Sequence, residues 1–130
     1  MRNLKFKAKK INSNEWVYGY YSQAGNETEV KSIIMPQGES TNELYEVTPE
    51  TVCQLLCEKN GVEFFTGDIL KSKQTFENSK EYALVYVYWN NEQLCYELKK
   101  INGSVSPPIN WISNFDKVGN IYDNPELVGF

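Results

Sequence analysis

A chain of 130 residues that is 41% hydrophobic and 14% aromatic is long enough for one domain with a real core, and too apolar to stay disordered. Its net charge of −4 counts against a general nucleic-acid binder. The longest apolar run, Ala83 to Trp89, is far too short to cross a bilayer as a helix.

Met1 to Lys10 is basic with no apolar stretch behind it, so no secretory signal is expected. Within it Leu4, Phe6 and Ala8 alternate with Lys5, Lys7 and Lys9, which predicts a half-buried strand with a lysine face. Asn12-Ser13-Asn14 is turn chemistry. Trp16 to Tyr21 returns as a second strand, with Trp16, Tyr18 and Tyr20 on one face and Val17 and Tyr21 on the other. Gln23 to Glu27 reads as a loop, Val30 to Met35 as a strand ended by Pro36, and Gln37 to Glu43 as a mobile loop. Leu44 to Val47 predicts a short strand. Thr48-Pro49-Glu50 then predicts a helix start, with the helix running from Pro49 to about Cys57 and carrying Val52, Leu55 and Leu56 on one side.

Asn60-Gly61 is a turn signal, and strand-favouring residues follow it from Val62 to Thr66. Gly67-Asp68 interrupts that run before Ile69-Leu70 resumes it. A glycine inside a strand pattern predicts a bulge, a sharp bend or a close backbone approach. Asp68 beside it can turn its carboxylate back onto nearby backbone amides. Lys71 to Lys80 is polar and reads as a loop. Tyr82 to Trp89 and Leu94 to Lys100 form the clearest hairpin, joined through Asn90-Asn91-Glu92. Both faces of its first strand are apolar or aromatic, which predicts a central strand covered on both sides. Asn102-Gly103 is a turn, and Ser106-Pro107-Pro108 breaks regular structure. Ile109 to Phe115 carries no clear signal. Val118 to Tyr122 reads as a last strand, and Asn124-Pro125-Glu126 as the cap of a terminal helical turn.

Reactive groups are sparse. The chain has no histidine, which removes the commonest general acid/base and the activator of most Ser and Cys nucleophiles. Three cysteines, an odd number, read as reduced thiols in a cytosol, and Cys53 and Cys57 have no second pair with which to close a zinc site. No phosphate-loop pattern occurs, and the glycines are scattered singly. Asp68, Asp116, Asp123 and Glu126 could in principle meet as an acid/base or metal pair; the stronger reading is structural, with Asp68 supporting a bend, Asp123 a turn and Glu126 the first turn of a helix. No catalytic residue, cofactor or metal is assigned, and no enzyme is expected.

The basic N-terminus is the sharper feature. Arg2, Lys5, Lys7, Lys9 and Lys10 precede the first acid, Glu15, and lie near Trp16, Tyr18 and Tyr20. Lysines beside aromatics can track phosphates while bases stack, as in single-strand nucleic-acid binders. The same pattern also describes a solvated strand whose lysines discourage edge pairing, and the acidic total favours that reading. Nine tyrosines and three tryptophans suit interfaces, which predicts a homo-oligomer.

Lys59 to Leu70, KNGVEFFTGDIL, resembles the central signature of the YopX-like family of phage and prophage proteins. Lys117 to Val128, KVGNIYDNPELV, is similar to that family's C-terminal signature, and Leu4 to Ala8 with Trp16 to Tyr21 resembles its start. The residues that carry the likeness are Gly61, Gly67, Asp68, Gly119, Asn120, Tyr122, Asn124 and Pro125. The resemblance implies a β-rich fold and a phage or prophage origin, and no activity. The expectation is a mainly β single domain over residues 1–130, a strongly bent sheet or partly open small β-barrel with one or two short helices. Its expected role is that of a non-enzymatic accessory protein in the bacterial host cytoplasm, with no membrane contact. It would contact a host or phage protein or copies of itself; the alternative is a nucleic-acid-binding module using the basic N-terminal strand.

Overall fold

The computed structural model describes residues 5–36, 43–75, 82–102 and 106–129. It is mainly β, with two antiparallel sheets that do not close into a barrel. The strand orders are β4-β3-β2-β1-β5-β6 and β10-β7-β8-β9. By its contacts the chain divides into two compact units, Met1–Leu55 and Leu56–Phe130.

The first unit opens with β1 (Phe6–Lys9) and β2 (Trp16–Gly25), paired antiparallel with Phe6 opposite Gly19 and Lys9 opposite Trp16. Their alternation has the predicted consequence: Ala8 and Val17 are buried, while Tyr18 and Tyr20 are exposed. β2 runs through Gln23–Gly25 of the stretch expected as a loop, leaving Asn26 and Glu27 in the connection to the next strand. Tyr20–Gly25 pairs residue for residue with β3 (Val30–Pro36), and the turn between them is held by Asn26, whose Oδ1 accepts the N–H groups of Thr28 and Glu29. β4 (Tyr45–Val47) pairs with β3 and returns to β1, where Lys10 bridges Val47 and Thr48 donates its N–H to the Lys9 carbonyl. The four strands thereby curl around a small core of Ala8, Val17, Ile34 and Val47, flanked by Phe6, Tyr21, Tyr45 and Val52. Of the loop expected over Gln37 to Glu43, residues 37–42 lie outside the described residues.

The helix expected from Pro49 to Cys57 is one 3₁₀ turn, Pro49–Thr51, and β5 (Cys53–Lys59) replaces the rest. The reason is β1. Its free edge takes Gln54 opposite Phe6 and Cys53 opposite Lys7, and Leu55 donates its N–H to the Lys5 carbonyl. Strand pairing buries Cys53 and Leu55 at alternate positions and satisfies backbone groups that a helix would leave open on β1.

In the second unit β5 continues to Asn60-Gly61, both at positive φ, and turns there into β6 (Val62–Phe65). The second sheet comprises β7 (Asp68–Thr75), β8 (Tyr82–Asn90), β9 (Cys95–Lys100) and β10 (Phe115–Asn120). β7 corrects the expected loop over Lys71 to Lys80. Its polar residues sit in a ladder, with Lys71 opposite both Leu84 and Asp116, and Thr75 opposite Tyr82; residues 76–80 lie outside the described residues. β10 likewise starts and ends earlier than the strand expected over Val118 to Tyr122. Ile109–Asn114 and Pro125–Leu127 are 3₁₀ turns. The core gathers Phe64, Leu70, Val85, Val87, Leu98, Ile112 and Phe115. β8 is central, as expected, but its two faces differ: Val85 and Val87 are buried, Tyr86 and Tyr88 half-buried, and Tyr82 exposed.

Candidate functional site

The signature residues of the second unit account for one another. Gly67 has φ +89°, donates its N–H to the Val87 carbonyl and accepts the Ile121 N–H. A Cβ there would lie 3.1 Å from a Tyr122 ring carbon. Asp68 is fully buried, and its Oδ2 accepts the Phe65 N–H at 2.7 Å and meets the Lys117 ammonium at 3.2 Å. Lys117 also donates to the Glu63 carbonyl. Asn120 pairs opposite Asp68 in the ladder, and its own Oδ1 accepts the N–H groups of Tyr122 and Asp123. Asn124 Oδ1 accepts the Asn120 N–H and lies where a Cβ on Gly119 would stand. Asn124 is the N-cap residue of the Pro125–Leu127 turn but makes no side-chain cap bond there. The central and C-terminal blocks are therefore one structural joint.

Carboxylates do not gather at that joint. Asp116 and Asp123 are exposed, and Asp123 accepts a bond from the Asn120 amide at 3.0 Å. Among the described residues no group of three or more His, Cys, Asp or Glu could hold a metal ion. Burial pushes the Cys57 thiol up, against a smaller opposite pull from the Lys59 charge. The second unit also has a pocket of about 560 Å³ lined by Ser72, Ala83, Pro107, Pro108, Trp111 and Phe115. Ser72 Oγ donates to the Gln74 carbonyl and accepts the Ala83 N–H, so this hydroxyl is committed to backbone groups.

The candidate site lies in the first unit. Period-two geometry puts Lys5, Lys7 and Lys9 on the same sheet face as Trp16, Tyr18 and Tyr20. The Lys7 ammonium is 4.7 Å from the Trp16 ring centroid, Lys9 is 5.4 Å from the same centroid, and Lys5 is 5.6 Å from that of Tyr18. Lys7 is only 5% exposed, which makes it part of the packing. Lys10 does not join them. It stacks on Tyr45 at 4.3 Å and pairs with Glu15 at 3.2 Å on the opposite face, as its even position in β1's alternation requires. Arg2 lies outside the described residues.

One contributor was not read from the sequence. Met35 of β3 stands directly opposite Tyr20 and is 45% exposed, beside Tyr20 at 51% and Tyr18 at 45%. Its signal was the strand Val30 to Met35, whose pairing register with β2 a single sequence does not state. The resulting surface is an aromatic and thioether patch bordered by lysines. Lysines already stand over Trp16 and Tyr18, so a nucleic-acid base would have to displace them.

Comparison with known families matches the chain, over residues 5–129, to the family described as YopX protein. No match was found among the curated proteins.

Proposed function

We infer, from the premise that this chain belongs to the YopX family, that it is a phage- or prophage-encoded accessory protein acting by protein–protein contact and not by catalysis. The contact surface is the face of β2 and β3 that carries Tyr18, Tyr20 and Met35. The single observation behind this reading is that these three large apolar side chains stand exposed on adjoining strands. Tyrosine and methionine are the residue types that interfaces enrich and that adapt to a partner's shape.

The test is an affinity capture from host and phage-infected lysates, run with the natural chain and with a Tyr20→Ala, Met35→Ala double variant. Circular dichroism must first show the variant folded. A protein identified by mass spectrometry should be retained by the natural chain and reduced about tenfold or more by truncating two interface anchors. Equal retention by both chains would remove this face as the site.

A further inference from the structure

The chain holds two Asn-Gly pairs, Asn60-Gly61 and Asn102-Gly103. The pair is chemically weak. Asparagine is a thermolabile residue type, and a following glycine puts no side chain in the way of its own nitrogen as that nitrogen attacks the asparagine carboxamide. Both asparagines are exposed, so solvent access does not separate them. Their hydrogen bonds do.

Asn102 is fastened to the central strand β8. Its Oδ1 accepts the Leu84 N–H at 2.8 Å, its Nδ2 donates to the Tyr82 carbonyl at 3.0 Å, and its own N–H donates to the Leu84 carbonyl. Both ends of its carboxamide are therefore in use. Asn60 is held differently. The turn from β5 to β6 needs positive φ at successive positions, +53° at Asn60 and +81° at Gly61, and Asn-Gly reaches both at small steric cost. The Asn60 carboxamide makes no hydrogen bond to a described residue. A Cβ at Gly61 would meet no described atom within 4 Å, which leaves room for its amide to swing toward that carboxamide. The chemistry that closes the turn thus installs the weak pair where no described group restrains it.

We propose that Asn60 is a site of spontaneous deamidation and that Asn102, with the same neighbour, is spared. The Gly61 nitrogen bonds to Asn60 Cγ, the Cγ–Nδ2 bond breaks, and the proton of the attacking nitrogen leaves with the side-chain nitrogen as ammonia. Water then opens the cyclic imide at either carbonyl, giving aspartate or isoaspartate. No oxidant, reductant or cofactor takes part. Either product adds a negative charge to the turn, and isoaspartate also lengthens its backbone by a carbon. The proposal goes beyond the Tyr18–Tyr20–Met35 reading and does not depend on it.

The natural chain is incubated in mildly alkaline buffer, once folded and once in urea. Peptide mass spectrometry follows the amide-to-acid mass gain at each Asn-Gly pair, and chromatography separates aspartate from isoaspartate. In urea the sites should react at similar rates, because only the shared pair remains. In the folded chain the Asn102 carboxamide must first break its bonds to β8, so Asn60 should react about tenfold faster or more. Its product should include isoaspartate, the mark of the imide route. Equal rates in the folded chain, a faster Asn102, an Asn60 that reacts only in urea, or a preference that persists unchanged in urea would overturn the proposal. Aspartate without isoaspartate would overturn the route. None of these outcomes bears on the lysate capture, which reads side chains of the β2–β3 face.

Discussion

Gly67 shows how much one position can decide. Its positive φ suits glycine, its N–H and carbonyl hold Val87 and Ile121, and Tyr122 closes over the space a side chain would need. Gly67→Ala is therefore expected to cost about 1–3 kcal/mol, the range for a non-glycine residue forced into such backbone. Urea unfolding monitored by tryptophan fluorescence measures it, and a midpoint equal to that of the natural chain would remove the close-packing argument. This joint was legible in the sequence because its chemistry is local. A glycine breaking a strand run and an aspartate beside it predict a bend capped by a carboxylate, and Asp68 caps the Phe65 N–H. That Lys117, far along the chain, would meet the same carboxylate was not legible, since no local pattern encodes it.

At the scale of elements, β1, β2 and the β8–β9 hairpin follow from alternation that each strand carries by itself. β5 does not. Val52, Leu55 and Leu56 fit a helical face, whereas the side chains that β1 actually buries, Cys53 and Leu55, lie two apart and gain meaning only once β1 is in place. The polar stretch after Lys71 is a strand for the same reason, flanked by β8 and β10. The strand environment of β5 has a chemical consequence at Cys57. Burial holds its thiol protonated to higher pH than usual, so alkylation by iodoacetamide at pH 8 should be slower at Cys57 in the folded chain than in the urea-unfolded chain. The folded state keeps this proton where the unfolded state loses it. The associated stability is full below the ordinary thiol value of 9.0 and is lost as pH rises through the raised one. Equal alkylation rates, resolved by peptide mass spectrometry, would refute the burial of this side chain.

For the molecule as a whole, charge and family pattern point the same way. The family match spans residues 5–129, and the stretches around Gly67 and Gly119 meet within Leu56–Phe130 as a backbone joint, so what those residues do there is structural. The exposed Tyr18, Tyr20 and Met35 lie in the other unit, on strands whose alternation is common to many β proteins. With 13 basic against 17 acidic residues the chain repels polyanions at long range. Its three face lysines lie over Trp16 and Tyr18 and would have to leave those rings before bases could stack. Lys10, which a continuous basic strip would require, is on the opposite face beside Glu15. Fluorescence polarisation with single-stranded DNA and RNA in low salt should accordingly show binding no tighter than about 10⁻⁴ M, the weak end of non-specific association. Tighter binding that falls steeply with added salt, and that Tyr20→Ala weakens, would instead assign the aromatic face to nucleic acid. Tighter binding untouched by Tyr20→Ala would place the contact elsewhere on the chain and leave the protein-contact reading of β2 and β3 standing.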